Sequence, residues 1–176
     1  MEYFDILDEN GKFTGKIKSR NEVHRNGDWH KAVHIFIVND SNKILLQKRS
    51  AIKETFPNIW TTSVSGHLSS GDNSIEGSIR EIKEEIGLTV KKEELKYLFT
   101  VKENMIWKNI TNNEFVDVFL INKNINISDL KLQKEEVSEV KFFTYKKFKR
   151  MVDTEDESLM PHKEINKRLL EILYKK

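Results

Sequence analysis

Between Asn73 and Gly87 the chain has few options other than a helix, and that helix would carry its charge where a helix gains nothing from it. Asn73 followed three residues later by Glu76 reads as a capping box, and Gly87 supplies the left-handed residue that ends helices, so the spacing predicts a helix from Ser74 to Gly87. At about 100° per residue, Ile75, Ile79, Ile82 and Ile86 gather on one face, while Glu81, Glu84 and Glu85 gather on nearly the opposite one. Like charges three or four positions apart cost a helix roughly 0.2–0.5 kcal/mol per pair, and Arg80 and Lys83 offset only part of that. Most such clusters are solvated acidic faces. Here the carboxylates sit on a rigid helix with the backbone carbonyl of a Gly66 turn nearby, the hard-oxygen surroundings that Mg²⁺ or Mn²⁺ prefers, so a metal platform is the reading the spacing favours.

Gly66 belongs to a longer pattern: five residues, Asp72, seven residues, Arg80-Glu81-Ile82, one residue, Glu84-Glu85, one residue, Gly87-Leu88. At ordinary residue frequencies, six strict matches at fixed spacing should arise about once in a million such chains or less often. The stretch resembles the Nudix box, the signature of hydrolases that cut diphosphates linked to some other moiety, with one departure: Asp72 stands where the family has Glu. The resemblance implies an α+β fold, an α/β/α sandwich around a mixed sheet. It implies Glu84 and Glu85 as the main metal ligands, Glu81 as a further ligand or general base, Arg80 as the group that orients those carboxylates, and Gly66 as backbone close to the metal. The cofactor it implies is Mg²⁺, with Mn²⁺ as an alternative. Asp72 is one methylene short, so its contact is expected to run through water.

Beyond the box, His24, Trp29-His30-Lys31-Ala32-Val33-His34, Gln47-Lys48-Arg49 and Trp60 to His67 resemble the branch that includes isopentenyl-diphosphate isomerase. His30 and His67 line up with metal-binding histidines of that enzyme, and both are candidate substrate-site residues; hydrogen-bonding histidines at strand ends are the plainer reading. The isomerase pattern places a catalytic Cys where this chain has Ser65, and a Glu-Asn-Glu motif where it has Asn112-Asn113-Glu114. A Ser hydroxyl has a far higher pKa than a thiol at about 8.5 and is a poor acid–base group for protonating carbon. The full hydrolytic glutamate set is retained, so hydrolysis of a nucleoside-diphosphate-type substrate leads, ahead of isomerisation of a prenyl diphosphate. A third reading is a ligand-sensing domain without catalysis, although the box glutamates that such domains often lose are present here.

A second acidic cluster, Glu135-Glu136-Val137-Ser138-Glu139, precedes a strand at a place where many Nudix hydrolases supply an extra catalytic Glu, and Glu136 is the candidate within it, alternative to Glu81 as base. Arg49 could hold substrate phosphate; Lys48 beside it reads as surface. Trp107, Phe115 and Tyr97 could stack on a base, although strand aromatics more often fill cores.

The remaining sequence suits a single domain of 176 residues: an N-terminal hairpin region (1–28), a core (29–145) and C-terminal helices (145–176). Tyr3 to Leu7 and Phe13 to Ile17 read as a hairpin, Ser19 to Arg25 as a short helix closed by Asn26-Gly27, and Ala32–Val38 with Ile44–Gln47 as a second hairpin. Trp60 to Val64 should be one strand leading into the Gly66 turn. Leu95–Val101, Phe115–Ile121 and Val137–Phe143 read as strands, followed by helices near Tyr145–Val152 and His162–Tyr174. With 30 basic against 28 acidic side chains the net charge of +2 argues for neither nucleic acid nor membrane surface as partner. A small-molecule diphosphate is the expected partner, the protein being a monomer or homodimer. The absence of cysteine excludes disulfides, thiolate nucleophiles and Cys-ligated zinc. The N-terminal residues lack the basic and apolar regions of a signal peptide, so a cytoplasmic location is expected.

Overall fold

The computed structural model describes residues 2–174; residues 175 and 176 of the expected C-terminal helical region, and residue 1, lie outside the described residues. Strands β1 (Tyr3–Leu7) and β2 (Phe13–Ser19) form the N-terminal hairpin, and α1 (Arg20–Asn26) follows, ending on Gly27 in the left-handed region at φ 66°. The centre of the fold is β3 (Trp29–Val38), an apolar run buried on both faces. Its ten residues pair in parallel, from Trp29↔Asn113 to Val38↔Asn122, with β8 (Ile110–Asn122). On its other edge β3 first meets Leu7 of β1, then β6 (Val64–His67), and at its end β4 (Lys43–Arg49). The expected second hairpin is therefore short: β3 and β4 share only Ile37↔Leu45 and Val38↔Ile44 before the two diverge, while β9 (Val137–Thr144) pairs along the whole other edge of β4.

That fork explains a departure from the sequence reading. Trp60 to Val64 is not one strand; β5 (Trp60–Thr61) pairs with β4, β6 pairs with β3, and the chain crosses between them at Thr62 and Ser63. Ser63 supplies the missing ladder bonds from its side chain, Oγ accepting from Ile37 N–H (2.8 Å) and donating to Leu45 O (2.5 Å). Gly66 is consequently in a strand, opposite Val33, rather than in a turn. The other departure is length. β7 (Lys96–Trp107) and β8 form a hairpin far longer than Leu95–Val101 and Phe115–Ile121, because its polar outer half leaves the core and walls a cleft.

Alternation along β3 sorts the two cores. Val33, Ile35 and Ile37 pack with Val64, Ile82 and Ile86 beneath α2 (Ser74–Ile86), whereas Ala32, Phe36 and Val38 pack with residues of α3 (Tyr145–Asp153) and α4 (Lys163–Tyr174), including Phe148, Met151, Ile165 and Leu169. The result is the expected α/β/α sandwich around a mixed sheet. Among the described residues no helix is long and apolar enough to cross a membrane.

Candidate active site

Helix α2 begins where Asn73 Oδ1 accepts from the N–H groups of Ile75 and Glu76 (3.1 and 3.0 Å) and ends where Gly87, at φ 70°, returns its N–H to Lys83 O (3.1 Å). These caps fix the rotation of the helix, but the two faces are not the simple apolar and acidic pair expected from the spacing. Ile75 is 41% exposed, while Glu81 (9%) and Glu85 (5%) are buried with Ile82 and Ile86; Glu84 alone of the three is exposed. The carboxylates reach inward under β6. A Cβ on Gly66 would lie 2.1 Å from Glu81 Cδ, so only glycine leaves room for the carboxylate to pass.

Arg80 ties the array together. Its Nη1 donates to Glu81 Oε1 (2.7 Å) and Glu84 Oε2 (3.4 Å), and its Nη2 to Asp72 Oδ2 (3.2 Å) and His67 O (3.2 Å). Asp72 thus meets Arg80 directly, where the sequence suggested a water bridge; the shorter side chain is compensated by the Ser69–Asp72 turn, in which Ser69 N–H also donates to Asp72 Oδ2 (3.3 Å). Glu85 Oε2 accepts from Gln47 Nε2 (3.1 Å) and Ser65 N–H (3.3 Å). Burial dominates both buried carboxyls: it pushes Glu81 up to about 7 against the pull of Arg80, and Glu85 up to about 8, with the neighbouring Glu81 adding to the rise. The charges of Glu81, Glu84 and Asp72 outweigh burial at Arg80 and raise its pKa above the ordinary guanidinium value.

A second donor set faces this one. Ligand nitrogens of His24 on α1, His30 on β3 and His67 on β6 lie within 4.8 Å of one another. His67 Nε2 is 2.9 Å and His30 Nε2 3.8 Å from Glu114 Oε1 on β8, and Asn112 Nδ2 donates to the same oxygen (2.6 Å). His30 Nδ1 is held by Asp28 O (3.0 Å), Phe4 stacks on its ring, and burial leads the lowering of His24 to about 3 and His30 to about 4. Glu114 is displaced below the usual carboxylate range because His67 outweighs its desolvation. His24 and His30 are thus neutral lone-pair donors, and their buried Nε2 atoms make no hydrogen bond. Neutral imidazoles and buried carboxylates are the donors a divalent cation takes, so both sets fit one.

The structure gathers the predicted residues into one cleft of about 570 Å³, lined by Arg49, Gly66, His67, Arg80, Glu81, Glu84, Glu85 and Glu136; His30 lies beside it in the histidine cluster. Two of them are already engaged. Arg49 spends Nε and Nη2 on Thr55 and Phe56 carbonyls (2.7 to 3.2 Å), fastening the loop after β4, and Glu136 is ion-paired with Lys53. Of the aromatic candidates, Trp107 lines the cleft and contacts Phe56 (ring centroids 4.3 Å), Phe115 packs on Trp29, and Tyr97 is exposed. The sequence did not single out Glu103 or His162, and gave His24, Gln47 and Glu114 only through their likeness to isomerase positions; His24, Glu114 and His162 line the cleft, Gln47 joins it through Glu85 and Glu103 through His162.

The NUDIX domain family model matches residues 28–163, and the chain belongs to the Nudix family. Nudix hydrolase 3 of Arabidopsis thaliana is 39% identical over 166 residues, which are 92% of this chain and 22% of that protein, so the chain spans about a fifth of this relative. An isopentenyl-diphosphate Delta-isomerase of Photorhabdus laumondii is 29% identical over 69% of each chain, and a prenyl-diphosphate phosphatase of Methanosarcina mazei is 38% identical over 56% of each. A solved protein from Deinococcus radiodurans shares the fold with a TM-score of 0.69, covering 99% of this chain and 98% of that one at 18% identity.

Proposed function

We propose that the chain, as a single domain, is a Mg²⁺-dependent hydrolase, with Mn²⁺ as an alternative ion, that splits the diphosphate of a nucleoside-diphosphate-type substrate. One observation carries this reading: two carboxyls are buried together beneath β6, Glu81 against Gly66 and bonded to Arg80, and Glu85 held by Gln47 and the Ser65 N–H with no salt bridge among the described residues. Glu81, Glu84, Glu85 and the Gly66 carbonyl would hold the ion, and His24, His30, His67 and Glu114 could hold a second. Bound divalent ions supply charge neutralisation at the phosphate oxygens and lower the pKa of water.

The protein's own contribution is placement. Glu81, with a pKa near 7, is poised to take the proton from an attacking water, and Arg80 fixes its rotamer. Glu85 is held by Gln47 and the Ser65 N–H, so the array cannot drift as charge builds. The organic half of the substrate would lie toward Trp107. Ser65 in place of a thiol speaks against isomerisation. A second reading, hydrolysis of a prenyl diphosphate, is favoured by a mostly apolar cavity of about 350 Å³ that shares Phe56, Trp107 and Met160 with the cleft. The test is to incubate wild type and E85Q with Mg²⁺ and a panel of nucleotide and prenyl diphosphates, following phosphate, pyrophosphate and isomer release. Hydrolysis by wild type that E85Q loses supports the proposal; turnover unchanged in E85Q overturns it.

A further inference from the structure

One buried titratable group lining the cleft, together with its carboxylate partner, has no part in the chemistry above. His162, in the segment entering α4, is 4% exposed, and its Nδ1–H donates to Glu103 Oε2 of β7 at 2.7 Å. Its ring stands edge-on to that of His34 on β3, centroids 4.5 Å apart and planes at 72°. The backbone pins it on both sides: His162 N–H donates to Met160 O (2.8 Å), Asn166 N–H donates to His162 O (2.9 Å), and Met160 N–H donates to Trp60 O (2.8 Å). Among the described residues no hydrogen bond reaches Nε2, while His162 and His34 both line the cleft that holds Glu81 and Glu85. A carboxylate accepting at Nδ1 fixes which edge of an imidazole faces outward, and an imidazolium held this way presents its second N–H as a charge-assisted donor.

The charge inventory of the cleft says what that donor is for. Its other cations are committed: Arg20 to Glu2, Arg49 to the loop carbonyls, Lys53 to Glu136, and Arg80 to Glu81, Glu84 and Asp72. Glu81, Glu84, Glu85, Glu114, Glu135 and Glu136 line the same space. A diphosphate entering here meets cation-binding carboxylates on one side and needs a donor to its oxygens on another. We propose that His162, oriented by Glu103, is a substrate-contacting residue that donates from Nε2 to a phosphate oxygen of the diphosphate. This rests on the hydrolase reading above.

The variants separate contact from scaffolding. In H162N the amide can keep the bond to Glu103 while nothing occupies the Nε2 position; in E103Q the acceptor remains and its charge is lost. The probe is methylenediphosphonate, which cannot be hydrolysed, titrated calorimetrically into the full chain with saturating Mg²⁺, alongside Mn²⁺ binding measured alone. H162N should bind the diphosphonate at least about tenfold more weakly and E103Q should shift in the same direction, the scale of one charge-assisted hydrogen bond. Mn²⁺ affinity should be unchanged in both, whereas E85Q should lose it. Diphosphonate affinity equal to wild type in H162N, or in E103Q if H162N fails to fold, overturns the assignment. If E85Q keeps full Mn²⁺ affinity, the hydrolase reading fails instead, whatever His162 does.

Discussion

Replacing Glu85 by Gln should make the protein more stable and inactive at once, with the gain in stability growing as pH rises. Glu85 is 5% exposed and its carboxyl is raised from 4.5 to about 8, first by burial and then by Glu81. Its folded-state pKa lies above the unfolded value, so the folded state binds the proton more tightly, and the stability this group provides falls as pH climbs from 4.5 through 8. At ~1.4 kcal/mol per unit of displacement, the ionised side chain costs the metal-free fold on the order of 4 kcal/mol more at pH 8 than at pH 5. Gln is nearly isosteric, and its carbonyl can still accept from Gln47 Nε2 and Ser65 N–H, so the substitution removes the charge and keeps the contacts. Thermal unfolding in EDTA should therefore show a Tm close to wild type at pH 5 and roughly 10 °C higher at pH 8. Turnover with Mg²⁺ should fall by orders of magnitude at every pH. A Tm difference that is flat with pH, or that shrinks as pH rises, would refute the claim that an unbalanced buried carboxyl shapes this site.

The choice of base can be tested by comparing E81Q with E136Q: because Glu136 is engaged by Lys53 and Glu81 sits fixed beneath Gly66, E81Q should stay inactive at high Mg²⁺, whereas E136Q should keep kcat within several-fold of wild type. The reverse ranking would move the base to the turn before β9. Gly66→Ala forces a methyl to 2.1 Å from Glu81 Cδ; it should cost about 1–3 kcal/mol by denaturant unfolding and lower turnover as far as E81Q does, and wild-type kinetics would show that Glu81 does not need its place under β6. Wild type incubated with isopentenyl diphosphate and Mg²⁺ or Mn²⁺ should show no double-bond migration by NMR, since Ser65 offers no thiol.

What could be read from the chain is what is local. The helix Ser74–Ile86, its Asn73 cap and its Gly87 terminus, the first hairpin and the two last helices all follow from residues within a few positions of each other. The errors fall where a distant partner decides. Trp60 to Val64 reads as one strand, yet β4 and β3 diverge there and Ser63 must bond to both. The polar stretch from Lys102 to Glu114 reads as loop because its strands leave the core, and that departure is what carries Trp107 and Glu114 to the cleft and Glu103 to His162. The side of α2 that faces inward is hidden from the sequence for the same reason: amphipathic counting puts carboxylates toward water, and the gap at Gly66, on another element, admits Glu81 to the interior.

That gap also sets how metal and protons must be linked. Glu81 at about 7 and Glu85 at about 8 hold protons near neutrality because burial leaves their charges under-compensated. A divalent ion takes carboxylates in their ionised form, so binding it must expel whatever protons they carry. At pH 7 Glu81 is about half protonated and Glu85 mostly so, which predicts release of roughly one to one and a half protons per Mg²⁺ bound at this set. The release should fall toward zero above pH 9, where both groups are already ionised, and apparent affinity should tighten as pH rises from 6 to 9. Calorimetric titrations of Mg²⁺ in buffers of different ionisation enthalpy measure the proton count directly. A count near zero at pH 7 would mean that the ion binds elsewhere, and the carboxylates of α2 would then lose their claim to be the metal platform.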